Sequence, residues 1–182
     1  SATTNKATNV SLVVNPAAET LVTASVSLAQ ATALEAATNS GTLSYNISDI
    51  ASNLALADTT GNAAARSILN NTPGSLTVSD NSGNVTAAQA TLLAGLTKSV
   101  TYNLVDSASN ISSSNVTISA LNEAVNITTS GVGTVSGSSK ILSATNSGDT
   151  LIANITGTSS EVKTLSLTSN DKVTALVVTE EG

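Results

Sequence analysis

The sequence predicts an α/β fold over its first two thirds, built as parallel, solenoid-like strand–turn–helix repeats, with an all-β segment after them. Three observations predict it: an internal duplication, helix-start signals ahead of Ala- and Leu-rich runs, and alternating apolar stretches that end on Asp. An all-β solenoid or sandwich is the alternative.

The duplication comes first because it sets the repeat unit. Tyr45-Asn46-Ile47-Ser48-Asp49-Ile50-Ala51-Ser52-Asn53-Leu54 returns as Tyr102-Asn103-Leu104-Val105-Asp106-Ser107-Ala108-Ser109-Asn110-Ile111, with six of ten positions identical and two exchanging Ile with Leu. Upstream, the run from Ser27 to Leu34 matches the run from Thr86 to Leu93 in the same order.

Ser27 followed by Gln30, and Thr86 followed by Gln89, are capping-box patterns, in which the hydroxyl and the amide satisfy one another's backbone N–H groups. Ala and Leu then favour helix. Helices are expected over about 28–38 and 87–97, with Gly41 and Gly95 as stop signals.

Leu43, Tyr45 and Ile47 alternate with polar residues, as do Val100, Tyr102 and Leu104, and both patterns predict strands. A further strand is expected over 75–80. Asp49, Asp80 and Asp106 end these strands, and Asp49 is placed to cap a helix through Ala51, Leu54 and Ala55. Strands that alternate with helices favour parallel pairing through helical crossovers.

After about Asn115 the helix formers thin out. Strands are expected over 115–119, 124–128, 151–156, 162–168 and 173–179, with Gly131, Gly133 and Gly137 as turns or a joint. The chain therefore divides into a strand–helix repeat region, 1–118, and a β-rich region, 119–182. Whether the last strands stack further or form antiparallel hairpins is open at this level.

Composition narrows function. Forty per cent of the 182 residues are hydrophobic, yet there is no Phe, Trp, Met or Cys and there are two Tyr, so the core is Val, Ile, Leu and Ala. Such side chains fill narrow, regular spaces. A net charge of −6 argues against nucleic acid and anionic membrane partners. No Cys means no disulfide framework and no thiolate metal site. A chain without Cys or Met resists oxidation, which suits an abundant exported protein. No secretory signal stands at Ser1 and no apolar run spans a bilayer, so a removed signal or an address elsewhere is expected.

The paired capping-box helices and the Tyr-Asn-Ile/Leu-x-Asp-x-Ala-Ser-Asn-Leu/Ile motif, over about 27–111, resemble repeats of large secreted bacterial surface proteins of the S-layer-like and adhesin-like kind. The run from Val162 to Thr168 looks like their strand-rich regions. The resemblance implies an extracellular, cell-surface location. Such proteins often carry calcium-binding glycine–aspartate nonapeptides, and this chain has none.

No enzyme constellation emerges. Without His there is no Ser–His–Asp triad and no His-ligated zinc. No carboxylate pair is proposed by spacing, and Gly131-x-Gly133 lacks a dinucleotide fingerprint. Asp49, Asp80 and Asp106 have two readings: weak Ca²⁺ sites along a shared corner, or turn and helix caps, the favoured one. No cofactor is required, and structural Ca²⁺ is the alternative to caps. Asn46 and Asn103 either form a buried ladder that satisfies turn backbone or face solvent. Sequons begin at Asn9, Asn46, Asn70, Asn84, Asn110, Asn115, Asn126 and Asn154, as expected of a chain rich in Asn, Ser and Thr.

The expected function is a secreted, non-enzymatic structural protein: a self-assembling subunit or segment of a surface layer, sheath or filament. An adhesin module that binds glycan or another cell surface is the alternative. The apolar run 173–179 near one end and Val10–Val14 near the other are expected to pair with another copy, or with a longer parent chain.

Overall fold

Two helices start where their capping boxes stand. The computed structural model describes residues 25–36, 45–72 and 74–180. It opens with β1 (Ser25–Val26) and α1 (Leu28–Glu35), where Ser27 Oγ accepts the Gln30 N–H at 3.2 Å and Gln30 Oε1 accepts the Ser27 N–H at 2.9 Å. β2 (Asn46–Asp49), α2 (Ala51–Leu54) and α3 (Ala63–Asn71) follow, then β3 (Leu76–Val78), β4 (Asn84–Val85) and α4 (Ala87–Leu93). The second capping box forms at Thr86 and Gln89. Gly95 lies just past the end of α4, as a stop signal should. The expected strand at Val10–Val14, the stop at Gly41 and the strand position Leu43 lie outside the described residues.

The duplicated Tyr motif next forms β5 (Val100–Thr101), β6 (Asn103–Ser107) and α5 (Ala108–Ser112). α6 (Ile118–Glu123), β7 (Ile127–Ser130), β8 (Val132–Thr134), α7 (Val135–Leu142), β9 (Thr150–Thr158), α8 (Ser159–Val162) and β10 (Asp171–Thr179) complete the order.

The protein is a mixed α/β molecule with two parallel sheets interleaved with helices. One sheet runs β1-β2-β3-β5 and the other β10-β9-β7-β6-β4, with β8 also pairing β9. Every strand pairing among the described residues is parallel. Helices between consecutive strands make this possible, because a parallel partner needs a crossover. The single sheet expected around Tyr45, Leu76 and Tyr102 is realised only in part: β2, β3 and β5 share one sheet, but β6, the strand of the duplicated motif after Tyr102, belongs to the other.

One register feature sets β3 and β4 apart. Leu76 and Thr77 pair with Val100 and Thr101, and Asn84 and Val85 pair with Asn103 and Leu104. Residues 78–83 on one side therefore stand opposite Tyr102 alone. The excess is folded into a tight left-handed run at Asn81, Ser82 and Gly83, with φ of 45°, 56° and 77°. That conformation costs an L residue about 1–2 kcal/mol, and the two registers on either side persist around it.

The all-β character expected after residue 118 is corrected by α6, α7 and α8. The expected strand over 115–119 is a turn leading into α6, and the one over 162–168 is the end of α8 and a loop. Each of these helices begins on a Thr hydroxyl, at Thr117, Thr134 and Thr158, that accepts the N–H three residues on. Intrinsic propensity misleads at α7, which is Ser- and Gly-rich. Val135, Ser138, Ile141 and Leu142 are its buried face, so burial offsets weak propensity. Gly137 is no joint: a Cβ there would meet Ser112 Oγ at 2.8 Å, so glycine lets α7 approach α5. Gly131, with φ of 70°, is the turn that was expected. The last strands, β9 and β10, stack in parallel rather than as hairpins. The division at 118/119 falls at the start of α6, and the six-stranded sheet has members on both sides of it.

The core is a single cluster of Val, Ile, Leu, Ala and the two Tyr, running from Val26 to Ile155. Ile47, Val78 and Leu104 all belong to it. Truncating Ile47 or Leu104 to Ala is expected to lower unfolding free energy by about 2–4 kcal/mol, from lost burial and a residual cavity. Urea unfolding measures this, and a loss near zero would contradict the packing.

Candidate functional site

The recurring polar feature is a carboxylate at the end of a strand. A helix begins with backbone N–H groups that have no partner inside the helix. In α1, the first of these, on Leu28, is accepted by Asp49 Oδ2 at 2.8 Å, 21 residues further along. In α2, the Ala51 N–H is accepted by Asp80 Oδ1 at 2.9 Å, a separation of 29. In α4, the Ala87 N–H is accepted by Asp106 Oδ2 at 3.0 Å, a separation of 19. Each strand-end Asp thus caps the helix of the preceding unit. The expectation that Asp49 caps the helix through Ala51 is corrected accordingly: that helix is served by Asp80.

The duplicated residues repeat the whole arrangement. Asp49 Oδ1 accepts the Ile50 N–H at 2.8 Å and the Asn53 amide at 2.9 Å. Asp106 Oδ1 accepts the Ser107 N–H and the Asn110 amide, both at 2.7 Å. So the Asp-x-Ala-x-Asn portion of the motif specifies one three-donor carboxylate site, used twice. Burial pushes the Asp106 carboxyl up, but bonds from Asn110, Ala87 and Ser107 outweigh it and hold it below the usual range. Among the described residues, no group of three or more acidic or other metal-ligating side chains gathers.

A second polar column uses asparagine. Asn46 Oδ1 accepts the Ser75 N–H at 2.8 Å, and Asn126 Oδ1 accepts the Asp149 N–H at 2.9 Å. Asn103 and Asn126 form a column in the six-stranded sheet, apart from Asn46 in the other: Asn103 Oδ1 accepts the Asn126 amide at 2.9 Å and its own amide donates to the Ser82 carbonyl at 3.1 Å. Both earlier readings of Asn46 and Asn103 meet here: the residues are half-buried, and they satisfy turn backbone in the neighbouring unit. Beyond Asp149 the column ends in an ion pair, Lys172 Nζ to Asp149 Oδ2 at 2.5 Å. Asn84, Asn103, Asn126, Asp149 and Lys172 line a shallow groove of about 330 Å³ together with Val105, Thr128 and Leu151.

Sequence reasoning missed two cations. Arg66, nearly buried, donates to the Leu56 carbonyl at 2.6 Å and the Gly95 carbonyl at 3.0 Å, past the ends of α2 and α4. Lys140 donates to the Ser113 carbonyl and to the Val116 carbonyl at 2.7 Å, just past α5. Cations suit helix C-termini, where carbonyls lack partners. Nothing local in the sequence marks these roles, because the partners lie 10–29 residues away. The signal at Thr158 and Glu161 was readable, since it forms a third capping box.

The two Tyr differ despite their shared motif. Tyr45 OH donates to Glu35 Oε1 at 2.5 Å, whereas Tyr102 OH donates to the Ala120 carbonyl at 2.7 Å. Burial pushes both phenols up, helped by the carboxylates of Glu35 and Glu123 respectively.

The chain matches no protein-family model, no curated protein and no solved structure.

The geometry makes Asp and Asn unequal at these corners. Both oxygens of Asp49 and Asp106 accept, and an Asn would turn an NH₂ toward a donor. Asp49→Asn and Asp106→Asn are each expected to lower stability by about 1–2 kcal/mol at neutral pH, read by urea unfolding. Because the Asp106 pKa is lowered on folding, its contribution is present above the unfolded value of roughly 3.9 and fades as pH falls through the folded value. The gap between wild type and Asp106→Asn should therefore close in acid. A chelator should leave the melting temperature unchanged, and a large shift would instead identify these carboxylates as Ca²⁺ ligands.

Proposed function

We propose that the chain is a non-enzymatic structural protein of a microbial cell surface, a parallel solenoid segment that assembles by strand stacking into a layer, sheath or fibre. The observation that carries this reading is the state of β10. Among the described residues it pairs on one side only, with β9, leaving a nine-residue edge. Leu176 is the register partner of Ile155, yet Ile155 is 0% exposed and Leu176 is 47% exposed. The core column therefore continues into a strand that nothing described covers. Val177 and Val178 are exposed beside it. Natural sheets pair, cover or charge such an edge, and the pairing rule used throughout this chain supplies a partner of matching form: another parallel strand.

The interlocked caps support the same reading. A unit whose helix is capped by the next unit's Asp is built to be followed by another. Extracellular location rests on the sulfur-free composition and the motif resemblance, and among the described residues no helix is long and apolar enough to cross a membrane. The adhesin alternative has the outer groove as its support. There the Asn103 and Asn126 amides are bonded to one another and no aromatic side chain offers a sugar stacking surface, so assembly is the preferred function.

Light scattering and electron microscopy on the purified chain at micromolar concentration test this. Wild type is expected to form ordered polymers. The variant Leu176→Lys/Val177→Lys is expected to stay monomeric over at least a tenfold higher concentration while melting at about the same temperature. A wild-type chain that remains monomeric would overturn the proposal, and glycan-array binding by that monomer would favour the adhesin.

A further inference from the structure

We propose that Asn115 is an acceptor for N-linked glycan, on the grounds that it is the sequon asparagine among the described residues that is both exposed and free of side-chain partners. The inference rests on the exported reading above. The fold separates sequons that the sequence leaves equivalent.

Glycosylation converts the side-chain Nδ2 to a substituted amide that must point into open solvent. At Asn110, Nδ2 donates to Asp106 in the three-donor site. At Asn126, Nδ2 donates to Asn103. Asn46 and Asn70 are half-buried, with Oδ1 accepting the Ser75 and Thr97 N–H groups. Asn154 has its Oδ1 buried. Asn84 makes no side-chain hydrogen bond but is half-buried within β4, on the wall of the groove. A glycan at Asn110 or Asn126 would strip a bond, and at the half-buried positions it would have to displace neighbouring groups to reach solvent.

Asn115 stands apart. It is exposed and sits in the turn over 113–116, closed by the Val116 N–H to the Ser113 carbonyl at 3.1 Å. Lys140 holds the turn from beneath through the Ser113 and Val116 carbonyls, and Val116 is buried. The backbone is therefore anchored while the Asn115 side chain is left to solvent. The sequon is completed by Thr117, at the start of α6.

The chemistry needs a lipid-pyrophosphate-linked oligosaccharide. The bond from Asn115 Nδ2 to sugar C1 forms, and the bond from C1 to the pyrophosphate oxygen breaks. The lipid pyrophosphate leaves with the electron pair, and the Nδ2 proton passes to a base of the transferase.

The test incubates the folded full chain with an oligosaccharyltransferase and its lipid-linked donor, followed by glycopeptide mass spectrometry. A glycan at Asn115 is expected, at about tenfold or more over any other described sequon. Asn115→Gln should abolish it without changing the melting temperature, and Asn84→Gln should leave it intact. Preferential modification elsewhere, or no modification at Asn115 in the folded chain, would overturn the proposal. In native source material the peptide spanning 113–119 should carry the glycan, and a bare peptide there would equally overturn it. A chain that accepts glycan at Asn115 yet stays monomeric sinks the assembly reading and leaves this one standing.

Discussion

A carboxylate that closes one strand and opens the helix of the unit before it is the bond on which the arrangement depends. Helix starts leave N–H groups that must find acceptors. In most proteins a residue beside the helix supplies one. Here an Asp from the neighbouring strand satisfies one donor at α1, α2 and α4, and at α1 and α4 a local Ser or Thr satisfies another. The helix start and the strand register are thereby tied together. Sliding a strand by one residue would break the ladder and the cap in the same step, so the caps enforce the register that the side-chain alternation also favours.

This coupling accounts for helices that are short and poor in intrinsic propensity. α2 and α8 have four residues each and α5 has five, below what is stable in isolation. Their ends are tied down by side chains: Asp80 and Arg66 hold α2, Ser107 and Lys140 hold α5, and the Thr158–Glu161 capping box holds the start of α8. With a core of small aliphatic side chains and no large aromatic other than Tyr, the spacing between units stays narrow. Polar side chains then carry much of the specificity that bulky packing supplies elsewhere.

The legible parts of this sequence were those whose signals are local. The two capping boxes, the Tyr motif and its duplication predicted α1, α4, parallel pairing and the buried Ile47 and Leu104, but not that the two copies of the motif place β2 and β6 in different sheets. The corners at Asp49, Asp80 and Asp106 were legible as positions, but their targets were not, since an acceptor that reaches 19–29 residues back leaves no local trace. α6, α7 and α8 were not foreseen, because Thr, Val and Ser dominate there and favour strand or turn, and β propensity mostly reports fit to a half-buried surface. The Thr caps at Thr117, Thr134 and Thr158 were the better evidence, and at α7 the buried spacing of Val135, Ile141 and Leu142 was hidden by Ser138.

The left-handed run at Asn81–Gly83 bears on how such a chain changes over generations. It absorbs a difference in length between neighbouring units without transmitting it to the ladder on either side, as the intact pairings of Thr77 and Asn84 attest. Insertions at that corner are therefore neutral to register. A unit of different length can then stand beside its neighbour with the ladder on either side of the corner still paired. Unit length, rather than register, is the quantity that this corner leaves free to vary.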